Sequence, residues 1–113
     1  MIRRGNLLEG LAGPPLAEEM FDTLLEDGAV TIERIVSTGQ TAPESGWFDQ
    51  PDDEWVCILE GAARVEIEGE ADELTLTRGA WLFLPAHCRH RVTWTQADPP
   101  TVWLAVHIYP ARR

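Results

Sequence analysis

Residues 79–94 read GAWLFLPAHCRHRVTW. An apolar run (80–84) follows Gly79, Pro85 ends it, and a second run (89–95) alternates basic or hydroxyl side chains with His90, Val92 and Trp94. Proline cannot donate to a β-ladder, so Pro85 separates two strands. The turn between them carries His87 and Cys88, and His87 and His90 are two of the chain's three histidines. Metal ligation, a solvent-facing basic turn and a relic of an older site are all compatible with that pair.

Outward from this stretch, period-two alternation and turn residues predict further strands at 29–36, 46–49, 54–60, 63–68, 72–77 and 101–109. In ARVEIE, Val65 and Ile67 alternate with charged residues; in DELTLT, Leu74 and Leu76 alternate with polar ones, giving each strand one buried and one wet face. Glu60-Gly61 and Gly69-Glu70 mark tight hairpins. Upstream, PPLAEEMFDTLLEDG predicts a short helix: Pro15 suits its first turn, Glu18 and Glu19 its positive end, and Gly28 its stop, with Leu16, Met20 and Leu24 on one face. The predicted organisation is therefore an extension with one helix (1–28) before an all-β sandwich or barrel (29–113).

At 113 residues the chain has room for one domain and one core. A net charge of −10 excludes a nucleic-acid binder, which needs basic side chains against phosphate. MIRRGNLLEGLAGPP starts positive, but Asn6, Glu9 and glycines break it before a signal-peptide core forms, and no apolar run reaches membrane-spanning length. Cys57 and Cys88 stand far apart and form neither a disulfide framework nor a Cys-x-x-Cys pair. The expectation is a cytoplasmic protein with reduced thiols and no nucleic-acid or membrane partner. Strand-rich folds with open edges pair, so a homodimer is expected.

The spacing resembles that of the small single-domain cupins. Their second motif runs Gly, five residues, Pro, one residue, Gly, two residues, His, three residues, Asn. Gly79, Pro85, His90 and Trp94 keep those spacings, with His87 in place of the second Gly and Trp94 in place of Asn. The first motif runs His-x-His, three or four residues, Glu, six residues, Gly. Glu54 and Gly61 match its second half, while the histidine positions fall on Trp47 and Asp49 or on Phe48 and Gln50. The resemblance spans residues 29–109 and implies the cupin double-stranded β-helix, a jelly-roll barrel, behind the short N-terminal helix.

In that family two histidines and a Glu of the first motif and a His of the second hold one divalent metal inside the barrel. The resemblance accordingly implies His90 and Glu54 as the leading metal ligands here, Asp49 as a third and His87 as a fourth if its loop bends inward. Such a His-plus-carboxylate set suits Fe, Mn, Zn or Ni. The competing reading of His90 and Glu54 is a buried ion pair without metal. Asp52 and Asp53 read as part of a solvated acidic turn.

Trp94, following His90 on its face, and Trp47 are candidate ligand-binding residues, as is His107 if the face of Trp103, Ala105 and Tyr109 points inward. Arg89 and Arg91 flank His90 and point outward, where Glu66 and Glu68 can pair with them. No catalytic nucleophile is recognisable. Two functions remain in view: a metal-dependent enzyme of dioxygenase or isomerase type acting on a small organic molecule, and a non-catalytic cupin that binds or senses a small ligand with a degenerate metal site.

Overall fold

The structure is a computed structural model, described over residues 2–110. Eight strands run β1 (Met20–Asp27), β2 (Val30–Ser37), β3 (Asp53–Glu60), β4 (Ala63–Ile67), β5 (Leu74–Leu76), β6 (Trp81–Leu84), β7 (His90–Thr95) and β8 (Thr101–Ile108). They form a five-stranded sheet, β1-β2-β8-β3-β6, and a three-stranded sheet, β5-β4-β7. Every pairing is antiparallel. The jelly-roll barrel expected from the motif spacing is thus present. Among the described residues no helix is long and apolar enough to cross a membrane.

Two expected elements differ. The helix is absent: residues 20–27 form β1, which pairs with β2 from Met20↔Val36 to Asp27↔Val30 and so joins the extension to the sheet. Leu16, Met20 and Leu24 are four apart, a spacing that satisfies a period of two as well as one of 3.6. The open edge of β2 decides between them by supplying backbone partners. Gly28, expected to stop a helix, instead turns a hairpin at φ 57°. The strand expected at 46–49 shrinks to a bridge at Phe48, whose N–H donates to the His90 carbonyl at 2.8 Å while its own carbonyl accepts from His90 N–H at 3.2 Å.

The core lies between the sheets and contains Val56, Ile58, Ala63, Val65, Leu76, Leu84, Trp103 and Ala105. Registry fixes which side chains reach it. Glu54 stands opposite His107 of β8 and Leu84 of β6, and Val56 opposite Ala105 and Leu82, so the inward row of β3 begins with a carboxylate and continues with core residues.

Candidate functional site

One end of the inter-sheet space remains open as a cavity of about 140 Å³. Ile35, Val56, Val65, Leu82, Leu84 and Val92 supply apolar wall, and Trp103 closes it with its indole N–H donating to Ser37 Oγ at 3.1 Å. Glu33, Gln50, Glu54, His90 and His107 supply the polar end. Glu54 and His90, the two residues ranked first from the motifs, are both buried and face each other from opposite sheets, with His90 Nε2 3.9 Å from Glu54 Oε1. The Gln50 side-chain amide donates to the same Glu54 oxygen at 3.2 Å.

Local hydrogen bonding sets the state of His90. Its Nδ1 lies 2.8 Å from the Cys88 carbonyl oxygen, which can only accept, so Nδ1 carries the proton. In the neutral ring Nε2 then presents a lone pair to the cavity. Phe48 lies beside it, ring centroids 5.3 Å apart. Phe48 and Gln50 both line the cavity, so the three-residue spacing before Glu54 is the one the fold uses: Phe and Gln occupy the places of the family's two histidines.

The other two proposed metal ligands are elsewhere. Asp49 and His87 pair with each other at 2.7 Å on the surface, 47% and 69% exposed, and neither lines the cavity. Residue parity turns Asp49 away from the face of Phe48 and Gln50. His87 adopts φ 63°, the left-handed conformation for which a Gly is normally chosen, and its N–H donates to the Gln50 carbonyl at 2.7 Å.

Trp94 is also displaced from its expected place. The β4–β7 ladder slips at Arg64/Val65, so His90 and Val92 face inward but Trp94 faces out beneath the Arg64 guanidinium, 5.3 Å from the ring. Trp47 lies outside the cavity lining as well, with the Arg91 guanidinium 4.2 Å from its ring. Arg89 and Arg91 pair with Glu68 and Glu66, each at 3.0 Å, as their outward parity predicts.

His107 faces inward, and its surroundings were not foreseen. Its Nδ1 donates to Asp52 Oδ2 at 2.7 Å and its Nε2 to Glu33 Oε1 at 2.9 Å. Asp52, expected in solvent, is only 6% exposed. Since both partners are carboxylate oxygens, both ring nitrogens carry protons and His107 is an imidazolium. The Glu33 hydrogen bond is the chief cause that raises its pKa to about 9; burial opposes it, and the Asp52 hydrogen bond and the nearby Glu54 and Glu33 charges reinforce it.

A pH dependence follows. A histidine whose folded pKa is raised stabilises the fold fully below its unfolded value of roughly 6.5, and that contribution disappears as pH rises through about 9. Wild-type unfolding free energy is expected to fall by on the order of 2–3 kcal/mol across this window. Burial also raises the Cys57 thiol, which adds a loss at the alkaline end. Urea titrations of wild type beside His107→Gln separate the two, because only the histidine contribution should vanish in the variant; parallel pH profiles would contradict the assignment.

The donors do not fit the family's metal. Two of its four ligand positions carry Phe48 and Gln50, Glu54 is engaged by the Gln50 amide, and His107 has no lone pair to offer. Among the described residues no group of three His, Cys, Asp or Glu side chains is arranged to hold a metal ion. Glu33, Gln50 and Asp52 are the site residues that motif reading passed over. Gln50 alone had a signal, as one of the alternative positions for the missing histidines.

The comparisons with known proteins agree with this architecture. A cupin-domain family model matches residues 35–107. A candidate mannose-6-phosphate isomerase from Ralstonia eutropha JMP134 is 45% identical over 96% of this chain and 100% of its own, with a TM-score of 0.90. A cupin-superfamily protein from Desulfitobacterium hafniense DCB-2 shares 17% identity over 97% of this chain and 94% of its own at TM-score 0.75. An RmlC-like cupin from Desulfovibrio desulfuricans shares 21% over 98% of this chain and 100% of its own, also at 0.75. No curated protein matches the chain.

Proposed function

Because the chain belongs to the cupin family, we propose that its barrel binds a compact, uncharged organic molecule without a metal, as a ligand-binding or sensing cupin. The observation that carries this reading is the cavity itself: largely apolar walls, with hydrogen-bonding groups gathered at one end. A cavity of about 150 Å³ accommodates a benzene-sized body. At the polar end His90 Nε2 and Glu54 accept hydrogen bonds and the Gln50 amide donates them, which suits a hydroxyl or carbonyl substituent. A metal-dependent enzyme would need Asp49 and His87 in the barrel, and both are engaged on the surface.

The same electrostatics disfavour a sugar phosphate, the substrate class in the name of the Ralstonia relative. The chain contains no lysine, and among the described residues no arginine lines the cavity. A phosphate there would meet Glu33 and Glu54 with only the His107 charge, already engaged by two carboxylates, to balance it. Calorimetry in EDTA against small phenols, cyclic alcohols, ketones and hexose phosphates tests this. Neutral members should bind and phosphates should not, with His90→Ala weakening binding by roughly 10-fold through loss of one buried hydrogen bond. Tight phosphate binding, or no binding across the neutral panel, would defeat the reading.

Two further features belong to it. Cys57 and Cys88 are free thiols, consistent with a reducing compartment such as the cytoplasm. Phe83, Trp55, Val106, Ile32 and Leu25 lie in register across the outer face of the five-stranded sheet, an apolar row that would suit the expected homodimer.

A further inference from the structure

The polar end of the cavity contains an excess of acid that the ligand-binding role does not explain. Glu33 of β2 and Asp52, from the segment before β3, each bond to His107, and Glu54 of β3 stands opposite His107 in register, so three separate backbone positions bring carboxylates to the surroundings of one residue. A pure ligand pocket has no need of three carboxylates at one end, two of them buried, and unpaired they would be costly. What stands among them is His107. Registry puts it directly opposite Glu54, its two ring nitrogens are bonded to Asp52 and Glu33, and its side chain is 14% exposed. From the facing sheet, His90 directs Nε2 toward Glu54.

We infer that the His107 imidazolium is the resident cation of this barrel: it neutralises the Glu33–Asp52–Glu54 group and thereby excludes divalent metal from it. This rests on the metal-independent reading above and extends it, since it names the residue that enforces that independence. Two features of the geometry support it. Both donor positions of the ring are engaged by carboxylates, so the side chain acts as a bridging cation rather than as a ligand. The groups beside it, the Glu33 and Asp52 carboxylates on its two nitrogens and Glu54 opposite it in register, are oxygen donors of the kind that Mn(II) accepts. With the ring present, a metal would have to displace a like charge from its hydrogen bonds; with the ring removed, the carboxylates are left without a counter-ion around the space it filled.

The decisive experiment uses Mn(II) chloride as the probe. Loss of the free-ion paramagnetic resonance signal is followed for chelator-washed wild type and for His107→Ala, each shown to be folded by circular dichroism. Wild type is expected to show no saturable binding, and His107→Ala to bind one Mn(II) at least roughly 100-fold more tightly and to gain thermal stability when it does, as a ligand specific for the native state must confer. Stoichiometric Mn(II) in wild type overturns the inference, and so does a folded His107→Ala that ignores the ion.

Should the variant fail to fold, nitrogen-15 spectra of the wild-type imidazoles decide the matter. His107 should show two protonated ring nitrogens at neutral pH, and added Mn(II) should leave the His107 and His90 signals sharp; a singly protonated His107 or broadening of either ring would overturn the proposal. Failure of the ligand-binding reading alone looks different: metal behaviour as expected, with no neutral molecule bound by wild type.

Discussion

His107→Leu is expected to destabilise the protein by about 3–5 kcal/mol, the range for leaving buried charge without its partner. Leucine keeps much of the ring's volume but supplies neither N–H, so Glu33 and Asp52 lose their shared donor and face Glu54 with no positive charge between them. The pH window should also move. Wild type loses the histidine contribution as pH rises from roughly 6.5 through about 9, whereas the variant should be flat there and gain stability only at lower pH, where its crowded carboxylates take up protons. Adding Glu33→Gln and Asp52→Asn should recover most of the loss, because removing the whole charged group avoids the uncompensated charges that the single substitution creates. Urea denaturation of the three proteins at two pH values measures all of this. A single variant within about 1 kcal/mol of wild type would mean that the trio is solvated and energetically idle.

Gly61→Ala is the second large effect, expected at about 3–5 kcal/mol from backbone strain combined with overpacking. Gly61 sits in the β3–β4 turn at φ 85°, and a Cβ there would lie 2.7 Å from Thr101 Cα and 2.8 Å from Thr101 Oγ1. Thr101 cannot give way easily: it is fully buried, and its hydroxyl lies within hydrogen-bonding distance of the Ala62 and Gln96 carbonyls. Gly69→Ala is the matched control, with φ 91° and nothing within 4 Å of the added atom. It should show only the conformational penalty of roughly 1–2 kcal/mol. The difference between the variants isolates the steric contact; equal losses would show that Thr101 moves aside.

Gly61 also marks what the sequence could and could not reveal. Its position seven residues beyond Glu54 identifies it as a motif glycine, but spacing says nothing of Thr101, forty residues on, whose backbone it must admit. The paired motifs put Glu54 and His90 on buried faces of their strands, and the turn residues marked the hairpins, because each depends on local order and strand parity. Parity fails wherever the ladder slips. One bulge at Thr93, opposite the Arg64–Val65 step, turns Trp94 outward, and a one-residue choice of spacing decides whether Asp49 or Gln50 enters the barrel.

The helix expected before residue 28 failed for a related reason. A four-residue apolar spacing serves both periods, and only the neighbouring β2 edge distinguishes them. The His107 group was the least legible of all. Its partners lie 55 and 74 residues away in sequence, one of them inside an acidic run that resembles ordinary surface. Periodicity assigns a residue to a face of its own strand, while contacts between distant strands depend on sheet order and register, which it does not encode.

The Trp103 position gives the protein an optical property. Its indole lies in the cavity wall, 4% exposed and bonded to Ser37, whereas Trp81 and Trp94 are 60% and 40% exposed. Emission from the buried ring should be blue-shifted and sheltered from acrylamide, and emission from the outer pair red-shifted and readily quenched. A molecule entering the barrel touches the first population and leaves the second alone, so occupancy can be read from the blue edge of the intrinsic fluorescence without any label.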